Sequence, residues 1–296
     1  MDVNRDDGDC LGTVVGDKPL TAAELRHKFV NEVVPLGRKL QGDITKKPGT
    51  LRVVSYNLHM MSGYAPNTGW EGMLNAIKKL NADVLVLQET TPDTLPALKS
   101  LYPYQHSQQF QGVIGNAILS KTLELHDCFR VAYNGSLERG LLSAEVRVPN
   151  SKPIRIMCTH LDVYDESGET RLNQATELEM HSHNWCNWQD TIVLGDMNCI
   201  RLSDYSEEHL KWIKLQDRSR GVDRPLGFEL DPLFGSGWSD VFRESTPCIS
   251  VWSMRRVDFA LTCPKWAANI DRSFLYFDAS SDHLPLVVDI IPTPDT

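Results

Sequence analysis

The chain has 296 residues, near the upper size for one hydrophobic core, and its 41% hydrophobic and 23% charged residues are those of an ordinary globular protein. A net charge of −9 argues against indiscriminate coating of duplex nucleic acid, which needs a broad Lys/Arg surface; it does not exclude a nuclease, because metal-binding carboxylates add to the same total. Seven scattered cysteines without a CxxC pair fit free thiols, the N-terminus lacks the apolar core of a secretory signal, and no apolar run can span a bilayer, so an intracellular location, cytoplasmic or nuclear, is expected.

Residues 1–20 are polar and rich in Gly and Asp, and read as mobile. Thr21 and Glu24 have capping-box spacing, and Leu25, Phe29 and Val33 follow at four-residue steps, so a helix starts at Thr21. Pro35 is expected to end or bend it. Residues 46–50 (KKPGT) read as a linker.

From Leu51 apolar runs alternate with helical periodicity. Leu51–Asn57 and Asp83–Leu87 read as buried strands, with a helix over Trp70–Leu80 between them. Gly112–Leu119, Leu141–Val148, Ile154–Thr159, Thr191–Leu194, Val257–Thr262 and Pro285–Ile291 are further strand candidates. Glu169–Trp188 is the longest helix candidate. The polar stretch Arg201–Gly237 predicts a short helix over Glu207–Leu215 and then loop, and is expected to border the substrate. Such chains bury sheets under helices, and periodicity does not choose between one open sheet and two packed sheets.

Polar residues punctuate these strands repeatedly. Asn57 follows LRVVSY, Glu89 follows DVLVLQ, and His160 follows IRIMCT. Asp196 and Asn198 follow TIVLG, Asp258 lies within RRVDFAL, and Asp282 and His283 precede LPLVVDI. Groups at strand ends can converge on one crevice. Carboxylates with Asn oxygens suit a hard cation such as Mg²⁺, and His side chains serve as proton donors or phosphate contacts. Singly, each residue reads as a turn or helix cap. Together they would require six coincidences.

The ordered segments Ser55-Tyr56-Asn57, Leu87-Gln88-Glu89, Gly115 to Ser120 (GNAILS), Thr159-His160-Leu161, Gly195-Asp196-Met197-Asn198, Arg256-Val257-Asp258 and Ser281-Asp282-His283 resemble the endonuclease/exonuclease/phosphatase superfamily over residues 51–291. That resemblance implies an α/β fold, a four-layer α/β sandwich of two packed mixed β-sheets flanked by helices. Because the resemblance begins only at Leu51, residues 1–50 are expected to be an N-terminal extension carrying the one helix read above, and residues 51–296 the catalytic domain. It implies a Mg²⁺-dependent phosphoesterase, with Mn²⁺ as a substitute, in which Glu89 is the principal metal ligand beside Asn57, and Asp282 lies near the metal. Asp196 is then expected to position or deprotonate the attacking water, Asn198 and His283 to contact the scissile phosphate, Asp258 to orient His283, and His160 to contact the phosphate from the other side. A cation with fixed donors stabilises the charge that accumulates as a phosphate ester is hydrolysed.

The substrate signals are fewer. Thr159-His160-Leu161 stands where abasic-site endonucleases carry a Tyr–Pro–Asn segment, which counts against abasic-site repair. Arg171 and Gln174 resemble the Arg-x-x-Gln helix start of the 5′-tyrosyl-DNA phosphodiesterases and deadenylases, and Arg171 is expected to fork onto a substrate phosphate. Trp238 and Trp252 can stack bases, though such residues are more often core. The expected partner is a phosphate-ester substrate, with nucleic acid favoured. An inositol phosphate or other small phosphate ester is the enzymatic alternative, and a non-catalytic phosphate-binding protein is the alternative of another class.

Overall fold

The computed structural model describes residues 16–65, 68–110, 114–136, 138–185, 190–223, 225–242, 249–264 and 266–295. The mobility expected of residues 1–15, the start of the strand expected at Gly112, and the end of the helix expected through Trp188 lie outside these residues.

The strands, in order, are β1 (Leu51–Asn57), β2 (Val84–Thr90), β3 (Tyr104–Phe110), β4 (Ile114–Ser120), β5 (Leu125–Ala132), β6 (Gly140–Val146), β7 (Ile154–His160), β8 (Thr191–Asp196), β9 (Ser239–Asp240), β10 (Asp258–Thr262), β11 (Ile270–Leu275) and β12 (Leu286–Ile290). They form two six-stranded sheets, β11-β12-β1-β2-β4-β3 and β5-β6-β7-β8-β10-β9. Each sheet is built around one parallel pair, β1–β2 or β7–β8, with antiparallel neighbours on both sides. The helices are α1 (Ala22–Lys28), α2 (Val34–Leu40), α3 (Trp70–Leu80), α4 (Thr94–Leu98), α5 (Glu169–Trp185), α6 (Glu207–Arg218) and α7 (Asp231–Gly235).

Three buried clusters show how the layers stack. Val53, Val84 and Val86 of the first sheet meet Cys158, Ile192, Leu194 and Ala260 of the second between the sheets. The opposite face of the first sheet, including Val54, Leu85 and Leu87, packs on Met73 and Ile77 of α3 and on Leu98 of α4. The outer face of the second, including Met157, Val193, Phe259 and Leu261, packs on Ala175 and Leu178 of α5 and Leu233 of α7. Alternate residues of one strand therefore enter different clusters, as the two-residue period requires. The result is the four-layer α/β sandwich. No described helix is long and apolar enough to cross a membrane.

The N-terminal helix starts at Thr21 with the capping box its sequence predicts. It does not end at Pro35. A wide π turn over Phe29–Val33 carries the chain into α2, where Pro35 sits in the first turn and its missing N–H costs least. The Leu25–Phe29–Val33 stripe is fully buried in the same cluster that fills the space between the sheets. Gly37 lies so close to Phe277 that a Cβ would stand 2.0 Å from its ring, and Arg38 Nε donates to the Phe277 carbonyl at 2.7 Å. The Arg201–Gly237 stretch is more helical than expected, with α6 running on to Arg218 and α7 following. Trp212 of α6 donates to the Lys18 carbonyl, and Gln216 bonds the Leu20 backbone twice.

Candidate active site

The second sheet supplies one straight row. His160 on β7 is in register with Asp196 on β8, and Asp196 with Asp258 on β10. Two residues deeper in the sheet, Cys158 and Leu194 before their partners and Ala260 after Asp258, the strands face the core between the sheets. The same alternation aims the three polar side chains into that space, just past its apolar filling. The close passage of β7 behind the row demands a glycine. Gly195 has φ +156°, and a Cβ there would lie 1.9 Å from the Thr159 carbonyl oxygen. Beyond it Asn198 adopts a left-handed conformation, φ +49°, which Asn tolerates better than most residues. Its backbone N–H donates to Asp196 Oδ1 at 2.9 Å and its carboxamide to the Leu161 carbonyl at 3.0 Å.

The first sheet supplies its residues differently. Asn57 ends β1 on the inward side, in phase with Val53. Glu89 on β2 is out of phase: with Leu85 and Leu87 it would face the outer helices. Pairing with β4 slips between Leu87 and Thr90, and Glu89 takes φ +52°. This bulge brings its carboxylate to Asn57, whose Nδ2 donates to Glu89 Oε1 at 3.2 Å and across to Asp196 Oδ2 at 3.0 Å. A non-glycine residue held there costs about 1–3 kcal/mol, which the surrounding ladder must offset. Gln88, in phase with the core, lies beneath the site with Ser55 and Cys158.

The turn into β12 completes the cluster. Ser281 Oγ donates to the Asn57 carbonyl at 2.8 Å and lies 3.3 Å from Asp282 Oδ1. His283 Nδ1 is 3.0 Å from Asp258 Oδ2, and its Nε2 is 3.6 Å from Asp196 Oδ2. His160 Nε2 approaches the same Asp196 oxygen at 3.5 Å. The two imidazoles titrate in opposite senses. Burial disfavours the His283 cation, but Asp258, Asp196 and Asp282 outweigh it and hold the ring's pKa well above the usual value. Burial, helped by the Arg139 guanidinium and His283, pushes His160 well below it, so His160 is neutral near pH 7. Burial raises Asp196 to about 7, with the Asp258 and Glu89 carboxylates adding to the rise and His283 opposing it.

Asn57, Glu89, His160, Asp196, Asn198, Asp258, Asp282 and His283 are thus linked in one cluster. Arg171 does not join them. It is 1% exposed, and its guanidinium donates to the Asp162 and Asp165 carbonyls and pairs with Glu229. Gln174 accepts from the Asp162 N–H at 2.8 Å. The Arg-x-x-Gln helix start therefore anchors the loop that follows His160, and leaves no exposed fork for a phosphate. Trp238 is core, buried on the outer face of the second sheet, whereas Trp252 remains partly exposed. Sequence reasoning missed Ser250, whose hydroxyl donates to Asp258 Oδ2 at 2.6 Å and accepts from the Val257 and Asp258 N–H groups. It also missed Arg139, which is 3% exposed and bonded to the Leu161 carbonyl. Neither lies at the end of an apolar run, the signal that exposed the others.

The donor chemistry fits a hard divalent cation. Glu89, Asp196 and Asp282 bring carboxylate oxygens together with the Asn57 carboxamide, the oxygen-rich donor set that such a cation takes. Among the described residues, Asp196, Asp258 and His283 form an acidic and His group with one ligand atom of each within 4.8 Å of the others. Hydrogen bonding already accounts for that compactness, because Asp258 Oδ2 receives both Ser250 and His283. Glu89 and Asp282, partly exposed, leave room for the waters that Mg²⁺ retains.

No curated protein matches the chain by sequence. Several solved structures share its fold. One is an endonuclease/exonuclease/phosphatase from Beutenbergia cavernae, 19% identical over 82% of this chain and 72% of that one, with a TM-score of 0.59. D. rerio TDP2 complexed with single strand DNA product is 18% identical over 81% and 98%, with a TM-score of 0.58. ANGEL2, a 2′,3′-cyclic phosphatase, is 18% identical over 84% and 98%, with a TM-score of 0.57. The sequence model of the Endonuclease/Exonuclease/phosphatase family matches residues 54–283, a span that runs from β1 through His283. The chain belongs to that family, whose members are hydrolases acting on phosphate esters, generally with a divalent metal.

Proposed function

We propose that this protein is a Mg²⁺-dependent phosphodiesterase acting on nucleic acid. The observation that carries the reading is the geometry of two buried histidines on either side of one Asp196 oxygen, with Asn57 joining that oxygen to Glu89 across the gap between the sheets. Glu89, Asn57 and Asp282 would hold the cation, Mg²⁺ or Mn²⁺, which neutralises charge on the phosphate oxygens when bound. Asp196, raised to about 7, suits a general base near neutral pH. It takes a proton from water as the water oxygen bonds phosphorus and the leaving oxygen departs with its electron pair. His283, kept cationic by Asp258, donates to a non-bridging oxygen, and Asn198 adds a second donor. Neutral His160 presents an N–H on the opposite side. Arg171 acts at a distance, by fixing the loop after His160.

Nucleic acid is favoured as substrate by the single strand DNA product named for the D. rerio structure, and by the similar endonuclease domain of TRAS1, a telomere-specific non-LTR retrotransposon. A 5′-tyrosyl-DNA end is one specific option. The test is a panel of DNA, RNA, 5′-phosphotyrosyl DNA and inositol phosphates, with Mg²⁺ or excess EDTA. The expected result is metal-dependent cleavage of a nucleic acid. Full activity in EDTA, or turnover of inositol phosphates alone, would overturn the reading.

A further inference from the structure

Beside the catalytic cluster, the 249–256 turn carries more than Ser250. Its Trp252 N–H donates to the Asp282 carbonyl at 3.0 Å, Val251 bridges to His283, and the Leu284 N–H donates to the Ser250 carbonyl at 2.7 Å. Trp252 is therefore fixed to the same segment that presents Asp282 and His283. Its ring is partly exposed and lies 6.4 Å from Tyr64. Tyr64 in turn is 6.2 Å from His59, whose ring nitrogen is 3.9 Å from Asp282 Oδ1. The three rings thus form an aromatic series beside Asp282, with Tyr64 buried and Trp252 partly exposed.

A cation stands beside Trp252. Arg220, just past α6, lies with its guanidinium carbon 5.8 Å from the Trp252 ring centre. Gly221, in the left-handed region at φ +82°, turns the chain away directly after it. Arg220 makes no side-chain hydrogen bond or ion pair among the described residues. The carboxylate near it, Asp217, is paired with Arg255. Two arginines therefore share one carboxylate, leaving a net positive charge next to an aromatic face and one segment away from the phosphate site. Burial and Arg255 depress the Arg220 pKa, and Asp217 offsets them only in part.

We propose that Arg220, with Arg255 behind it, and Trp252 form a subsite for the neighbouring nucleotide of a single strand, the phosphate on Arg220 and the unpaired base against Trp252. The inference rests on the nucleic-acid reading of the catalytic site and extends it. A stacking platform requires a base free of its pairing partner, and one net cation on a chain of charge −9 offers no track along a duplex.

The test has two arms. In EDTA, fluorescence anisotropy measures binding of a labelled single-stranded oligonucleotide. With Mg²⁺, kcat and KM are measured on that oligonucleotide and on bis(4-nitrophenyl) phosphate, which has no neighbouring nucleotide. Arg220→Ala and Trp252→Ala should each weaken oligonucleotide binding and raise its KM about tenfold. Neither should change kcat/KM on the small diester. Arg220→Ala should also reduce the salt slope of binding by about 0.7, the change expected when one phosphate of a single strand is no longer neutralised. Arg220→Lys should retain the slope. Wild-type binding that depends on both residues without strand cleavage would sink the proposed activity and leave the subsite standing. Cleavage with unchanged KM in the exposed Arg220→Ala variant would overturn the subsite and spare the activity. Equal losses on both substrates, or KM effects confined to inositol phosphates or to base-free phosphate chains, would also overturn it.

Discussion

The two sheets have the same plan, a parallel pair between antiparallel neighbours, yet they contribute to the site in opposite ways. The second sheet gives His160, Asp196 and Asp258 from consecutive strands in perfect register, with no irregularity in the ladder. The first gives Glu89 only by breaking its ladder and forcing a left-handed residue. The contrast separates two demands. Groups that pass protons or meet phosphate need fixed mutual geometry, which a regular ladder supplies. Under the proposed assignment Glu89 has to turn from the outer face of its sheet toward the site to serve a cation, and the bulge does that at the expense of local strain.

The comparison is broken most severely at Glu89. Glu89→Gln keeps the side chain's shape and removes its charge, so kcat should fall by about 10³-fold or more while the fold persists. Isothermal titration should show weakened Mg²⁺ binding in the same variant. Unaltered metal affinity would show that the bulge does not exist for the cation.

In the rigid sheet the corresponding test is a double-mutant cycle. Asp258→Asn and His283→Ala should each lower kcat by about 10²-fold, and the double variant should be little worse than the poorer single one. Additive losses, with folding checked by circular dichroism, would mean that the two do not act as a unit. Gly195→Ala attacks the row through its backbone. The Cβ cannot fit against the Thr159 carbonyl, and a loss of about 2–4 kcal/mol in urea unfolding is expected.

A smaller effect follows from Asp196. Its folded pKa of about 7 lies above the ordinary value of 3.8, so without metal this carboxyl favours folding at low pH, and that contribution disappears as pH rises through about 7. In EDTA, Asp196→Asn should therefore raise the melting temperature relative to wild type more at about pH 7.5 than at about pH 5. An equal difference at both pH values would place the ordinary carboxylate pKa at this position. A further pair of variants concerns the amino-terminal region. Deleting residues 1–18 should leave turnover intact, whereas deletion through Lys47 removes the buried Leu25–Phe29–Val33 stripe and should lower the melting temperature clearly.

What the sequence made legible follows the same physical divide. Strands flanked on both sides, such as β1, β2, β7 and β8, are buried on both faces and read as unbroken apolar runs. The strands that sequence reasoning passed over are β3, β5, β9 and β11, the four sheet edges. An edge strand mixes polar and apolar residues, and YQHSQQF or LHDCFRVA carries too little alternation to stand out. The site was legible because its members end central strands. The Glu89 bulge was not, since nothing in DVLVLQE signals a change of face. Ser250 and Arg220 lie outside the regular elements, and only tertiary contact brings Ser250 to Asp258 and Arg220 to Trp252.

The strand order also has a consequence for how the chain matures on the ribosome. The second sheet is contiguous, formed by residues 125–262, so its functional row can assemble as synthesis proceeds. β1, by contrast, is hydrogen-bonded to β12, with Leu51 opposite Ile290, and one side of it stays open until residues 286–290 emerge. For most of translation the apolar β1 is an unpaired edge, the kind of surface that invites wrong pairing or holdase chaperones. Ser281, Asp282 and His283 arrive in the same final stretch. Closure of the sheet and completion of the catalytic cluster are therefore a single late event, and a nascent chain arrested before residue 280 would be both inactive and sticky.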